Sequence, residues 1–380
     1  MFDAEMKEPV WIDTPQGLNE LIPLLENIPI FAVDTESNSL FAYRERVCLI
    51  QISTETDDYL IDPLAVKKIA PLGILFANPN IEKVFHAGEY DLICLKRDYG
   101  FEFNHLFDTM IAARVLGREV VGLSGLLQAE FGITLDKKWQ RANWGIRPIP
   151  PAQLAYARMD SHFLIPLRER LRQELIAAGR LELAEEDFYR LERTPIPQIN
   201  SEKENFWRLA NRQDLTPRQI TILQHLCEYR ENLARKKDMP PFKIFSNETL
   251  VEIARETPAS AEELEKITGL TPHLRQRYAE GLLDCVTRGQ HGHPPRRPSY
   301  PRKDDELIQR MESLKSWRKN TAADYKVESD VILPREVMEQ VAAVNPHDQS
   351  ELSALMANFP WRLEKFGSEI LQALKSEEIQ

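Results

Sequence analysis

The chain has 380 residues, 43% of them apolar, 28% charged and 8% aromatic. That composition excludes disorder, collagen-like sequence and a disulfide scaffold, and the length suggests two or three domains. Lys and Arg number 48 against 59 Asp and Glu, a net charge of −11, which argues against a general polyanion coat but not against nucleic acid held in a local groove. Neither GxxxxGK[ST] nor GxGxxG occurs, so no nucleotide cofactor is expected. Cys48, Cys94, Cys227 and Cys285 form no CxxC pair and read as reduced thiols. No signal-peptide pattern opens the chain and no apolar run nears the roughly 18 residues a membrane span needs. The expectation is a soluble, cytoplasmic protein with no membrane partner.

In chain order, Ile28–Val33, Val47–Ser53, Asp58–Asp62 and Ile81–His86 read as short strands. Helical periodicity follows at Glu89–Arg97 and Thr109–Leu116, then as one long stretch from Ala152 to Ala178. Strands interleaved with helices in this order predict an α/β domain with a mixed sheet over residues 1–195. From Glu202 the strand signal stops and amphipathic helices take over. Shifting Leu223–Val286 forward by 88 residues lays it on Met311–Leu374 without a gap. Arg230 then meets Arg318, Tyr229 meets Trp317 and Pro258 meets Pro346. Two all-α modules of one fold are therefore predicted, at 202–290 and 304–380. A proline-rich basic linker at 291–303 joins them.

Asp34 and Glu36 close the first strand two residues apart, so both carboxylates project from one face of the sheet. Two like charges at a strand end call for a positive partner, and Mg²⁺ or Mn²⁺ favours carboxylate oxygen. Asp91 falls in the first turn of the helix after the fourth strand, where the helix dipole favours an acid, but Glu89 would serve that role equally well, so Asp91 has no obvious structural need. Tyr156 and Asp160 are four apart on a helix and share a face. Four carboxylates from a strand and two helices suit two divalent ions about 4 Å apart, the arrangement that in-line phosphodiester displacement uses.

This order of residues resembles the DEDD 3′→5′ exonucleases. The tyrosine four before the last aspartate marks the DEDDy branch. Phe31–Ser37, Leu49–Ser53, Phe107–Met110 and the run from Trp144 through Arg147-Pro148 to Ala157 narrow the likeness to the ribonuclease D family. The helical modules resemble the helicase-and-RNase-D C-terminal (HRDC) domain. The resemblance implies a ribonuclease H-like α/β exonuclease fold followed by two HRDC-like domains. It also implies that Asp34, Glu36, Asp91 and Asp160 hold two divalent ions while Tyr156 orients the attacking water. The implied activity is 3′-end trimming of tRNA precursors and other structured RNAs by a monomer, with release of nucleoside 5′-monophosphates.

Substrate contacts are expected from Leu40 and Phe41 as a wedge against terminal bases, and from Arg44 and Arg46 on phosphates. Arg235, Lys236 and Lys237 form a basic knot in the first helical module. Each has a plainer reading, as core packing, a solvated strand face or a solvated helix end. Asp108 reads at least as well as a helix N-cap. Carboxylates and metals do not separate RNA from DNA, so a DNA-directed exonuclease stays open, as does a non-catalytic nucleic-acid-binding protein.

Overall fold

Alternation of side chains along the first predicted strand sets the sheet: Phe31 and Val33 enter one core while Ala32 enters the other. The computed structural model describes residues 7–197, 202–211, 213–297 and 304–375. Its mixed sheet has the order β1-β4-β3-β2-β5-β6. The strands are β1 (Val10–Ile12), β2 (Ile30–Ser37), β3 (Val47–Ser53), β4 (Asp58–Ile61), β5 (Glu82–Phe85) and β6 (Leu106–Asp108). β3 and β4 are antiparallel with Ser53 opposite Asp58, whereas β5 runs parallel to both β2 and β6. The four central strands match the sequence reading. The flanking strands β1 and β6 have three residues each, too few for a periodic signal.

Among the described residues nine helices accompany the sheet: α1 (Pro15–Glu26), α2 (Pro63–Val66), α3 (Ala70–Ala77), α4 (Glu89–Tyr99), α5 (Thr109–Val115), α6 (Leu123–Phe131), α7 (Pro151–His162), α8 (Leu164–Ala177) and α9 (Leu181–Glu192). The helical stretch expected from Ala152 to Ala178 is made of two helices, parted at Phe163. Pro166 supplies the reason, because it has no N–H to offer the His162 carbonyl and fits only the first turn of a new helix.

The helical half contains α10 (Glu202–Ala210), α11 (Pro217–Lys237), α12 (Pro241–Ile244), α13 (Asn247–Glu256) and α14 (Pro272–His291). After the linker come α15 (Asp305–Tyr325), α16 (Ser329–Ile332), α17 (Arg335–Val344), α18 (Gln349–Leu355) and α19 (Pro360–Lys375). The starts of α11, α12, α13 and α14 recur 88 residues on in α15, α16, α17 and α19, as the repeat predicts. Aligned residues also do the same work: Arg230 donates to the Phe245 carbonyl at 3.1 Å, and Arg318 to the Leu333 carbonyl at 2.9 Å. α14 extends to His291, so the linker begins one residue later than expected. Its last part, 298–303, lies outside the described residues.

The chain divides into two compact units. One comprises Met1–Glu36, Val47–Ile196 and Arg302–Gln380; the other comprises Ser37–Arg46 and Pro197–Pro301. The second helical module is therefore packed into the exonuclease-like unit. Arg362 at the start of α19 is wholly buried there. Its guanidinium donates to Glu186 and Asp187 of α9, at 2.8 Å each, and to the Val331 carbonyl at 2.9 Å. Arg114 pairs with Asp330, and Arg190 with Glu336. Gly117, at φ +75°, leaves no room for a side chain: a Cβ would stand 2.2 Å from the Lys326 carbonyl oxygen.

Candidate active site

Extending the alternation of β2 puts Asp34 and Glu36 on the Ala32 face, and α7 crosses there. One carboxylate oxygen each from Asp34, Glu36 and Asp160 lies within 4.8 Å of the others. Asp91, buried in the first turn of α4, stands beside this trio, and its Oδ1 accepts a hydrogen bond from the Thr35 hydroxyl. Tyr156, one turn before Asp160 on α7, is hydrogen-bonded to that carboxylate. Tyr156, Asp34, Glu36 and Asp160 line a cavity of about 750 Å³ whose other wall comes from α6 and the loop after it, including Gln128, Lys137 and Gln140.

Each element is pinned by groups that do not reach the cavity. Asp108 ends β6; its Oδ1 accepts from Met110 and Ile111 N–H at 2.9 and 3.0 Å, which is the N-cap the sequence suggested. Its Oδ2 also accepts from Gly88 N–H at 2.8 Å and so ties down the turn that launches α4 and Asp91. A Cβ on Gly88 would meet Phe85 at 2.7 Å. The inner side of α7 is locked to β3 and β4 through Asp58, which pairs with Arg158 at 2.7 Å and His162 Nδ1 at 2.9 Å. Ser53 completes this knot, donating to Asp58 at 2.7 Å and lying 2.8 Å from the Ser161 hydroxyl. Arg147 explains its own place in the sequence pattern, for it clasps Asp62 and donates to the carbonyls of Cys48 and Trp144 at 2.6 and 2.7 Å. Trp144 is buried, with its ring centroid 6.2 Å from that of Tyr156.

Packed together and buried, the carboxylates are held far from their ordinary range. Burial first, then the neighbouring carboxylates, raises Asp34 well above the usual range and pushes Glu36 up to about 9. Asp160 rises to about 7 and Asp91 to about 6, burial again leading. Tyr156 is also raised, by burial and then by Asp160, Glu36 and Asp34. Desolvated oxygens that repel one another are what a hard divalent cation relieves, so the donor set fits one. Gln51 adds an Nε2 donor 3.3 Å from Asp34 Oδ2.

The five predicted core residues thus come together. The seven substrate-contact candidates all fall in the other compact unit. There, Leu40, Arg44 and Arg46 are exposed, while Lys243 stands over the Phe41 ring at 3.9 Å. The Tyr43 hydroxyl donates to Glu231 at 2.6 Å, with Arg235 near its ring. Lys237 is bound to the Tyr278 hydroxyl, whereas Lys236 is exposed. The sequence reading missed Gln51, His86 and the Asp58 knot. A lone glutamine inside the all-buried strand VCLIQIS was the available signal for the first.

Fold and site together define a 3′–5′ exonuclease domain of the DEDDy type. Residues 9–176 match the family model for 3′-5′ exonuclease, and 219–286 and 308–374 each match the HRDC domain. Ribonuclease D of Acidiphilium cryptum is 30% identical over 374 residues, covering 96% of this chain and 93% of that protein. The crystal structure of Escherichia coli RNase D, described as an exoribonuclease involved in structured RNA processing, superposes with a TM-score of 0.70 at 26% identity, over 98% of this chain and 100% of that one. The chain belongs to the ribonuclease D family. It is also 34% identical over 284 residues to the exosome complex exonuclease RRP6 of Saccharomyces cerevisiae, 70% of this chain but only 39% of that protein's length.

Proposed function

We propose that this chain trims the 3′ ends of tRNA precursors and other structured RNAs, releasing nucleoside 5′-monophosphates. It would act as a cytoplasmic monomer with two divalent ions, Mg²⁺ or Mn²⁺. The convergence of Asp34, Glu36 and Asp160 beside Tyr156, with Asp91 adjoining, supports this reading. Family membership and the RNA-processing role stated for the E. coli structure support the choice of RNA.

Asp34, Glu36, Asp91 and Asp160 would hold the metal ions, which when bound supply a lowered water pKa and charge stabilisation for the leaving 3′-oxygen. The residues themselves do the rest. Tyr156 keeps its proton, since burial and the surrounding carboxylates oppose ionisation; it therefore works as a hydrogen-bonding group that orients water and not as a base. The Asp58 knot and the Asp108 cap hold α7 and α4 in the register that lets strand and helix carboxylates meet. Gln51 fixes the plane of the Asp34 carboxylate.

The test compares 3′- and 5′-labelled RNA and DNA oligonucleotides with Mg²⁺ and with EDTA. Stepwise shortening of 5′-labelled RNA only with metal is expected. Equal activity in EDTA would refute the metal mechanism, and cleavage of DNA alone would move the substrate.

A further inference from the structure

Carboxylates that hold metal ions would engage the phosphate, and a further side chain lining the same cavity is placed to meet the sugar. His86 follows β5 directly and lines the cavity with Asp34, Glu36, Tyr156 and Asp160. Its Nδ1 lies 2.9 Å from the Thr109 hydroxyl, and that hydroxyl also reaches the Phe85 carbonyl at 3.2 Å. A carbonyl can only accept, so the arrangement that makes both bonds at once sends the single hydroxyl proton to Phe85 and has the hydroxyl oxygen accept from His86 Nδ1–H. The ring is thereby set in the tautomer whose Nε2 carries a lone pair. Burial depresses the His86 pKa, which favours the neutral form that this tautomer requires. No protein group among the described residues bonds Nε2. His86 also stands outside the carboxylate cluster fitted for metal.

A neutral ring acceptor set beside the carboxylates of this cavity can take a hydrogen-bond donor from the substrate. Base amines differ among the four nucleotides and would impose a base preference; the 2′-hydroxyl is present on every RNA nucleotide and is what separates RNA from DNA. We propose that His86 Nε2 accepts a hydrogen bond from the 2′-hydroxyl of the terminal nucleotide and is a sugar-discriminating residue of this site. Thr109 acts through it as a positioning residue. The inference rests on the exonuclease reading above and adds the sugar contact to it.

The experiment measures single-turnover cleavage at saturating Mg²⁺ on oligoribonucleotides ending in a ribo-, a 2′-deoxy- or a 2′-O-methyl nucleotide, each with adenine and with cytosine. Wild type, His86→Phe and His86→Gln are compared, with folding checked by circular dichroism. Wild type is expected to prefer the ribo end by about 10-fold or more, the scale of one lost hydrogen bond that leaves its partner unpaired. His86→Phe should cleave the ribo end as slowly as wild type cleaves the deoxy end, so that the preference collapses to about one. His86→Gln, which keeps an acceptor oxygen, should retain part of it. An unchanged sugar preference in His86→Phe overturns the inference while leaving the exonuclease reading intact. So does a wild type indifferent to the sugar, or a loss that tracks the base. A wild type inert on every RNA overturns both.

Discussion

Arg362→Met tests whether the second HRDC module is structurally part of the exonuclease unit. The native guanidinium is fully buried between Glu186 and Asp187, and it also supplies the Val331 and Ile332 carbonyls. Methionine keeps most of the volume but takes the guanidinium from two buried carboxylates and two carbonyls, leaving Glu186 with backbone N–H donors alone and Asp187 with Arg190. Breaking such a pair from one side costs about 3–5 kcal/mol. At about 2–4 °C per kcal/mol for a unit of this size, the melting temperature should fall by about 6–20 °C. The loss should depend on pH. Glu186 is already raised by burial, and Arg362 opposes that rise; without Arg362 its folded pKa climbs further above the unfolded value. A carboxyl raised in the folded state loses stability as pH rises above the unfolded pKa of about 4.3. The variant should therefore melt closer to wild type at pH 5 than at pH 8. Adding Glu186→Gln and Asp187→Asn should restore part of the loss, because an amide oxygen still accepts from the Trp361 N–H and no charge is left stranded. Thermal melts at the two pH values decide it: a variant within 1 °C of wild type at pH 8 would refute the reasoning.

Asp160→Asn should cut metal-dependent turnover by several orders of magnitude while raising the melting temperature of the metal-free protein above pH 7, since it removes one of the mutually repelling carboxylates; calorimetry in EDTA checks the second half. Mg²⁺ affinity by titration calorimetry should rise steadily from pH 6 to pH 9, because protons held on Asp91, Asp160 and Glu36, at about 6, 7 and 9, must leave before metal binds; a flat profile would contradict those shifts. Tyr156→Phe should lower kcat by about 10²–10³ with KM nearly constant, the loss typical of one aligned donor in the transition state, and wild-type single-turnover rates would return the ring to a packing role beside Trp144.

The carboxylates were legible because strand and helix periodicities place them on known faces before any tertiary contact forms. The period of two put Asp34 and Glu36 on one face and the helical turn did the same for Tyr156 and Asp160, whereas Asp91 and the metal-holding role came only from the order of all five and the family resemblance. The repeat was legible for a similar reason, since a gapless register of apolar positions survives divergence. What escaped was set by partners distant in sequence. Arg158 and Asp58 lie 100 residues apart, and Arg362 and Glu186 lie 176 apart. No local period marks such pairs. The repeat also implied two equivalent modules, whereas Arg362 replaces what is Leu274 in the first copy, a difference whose meaning appears only in the fold. The His86 tautomer likewise depends on Thr109, 23 residues away on another element.

The Arg362 clasp carries a consequence for how the protein is made. Glu186 and Asp187 leave the ribosome long before Arg362 exists, and at about 5–20 residues per second the gap of 176 residues from Glu186 lasts roughly 9–35 s. During that interval the nascent exonuclease segment has α9 but lacks the module that satisfies its two acids. Synthesis then delivers the missing cation only with α19, so that completion of this unit waits for the second helical module to be made.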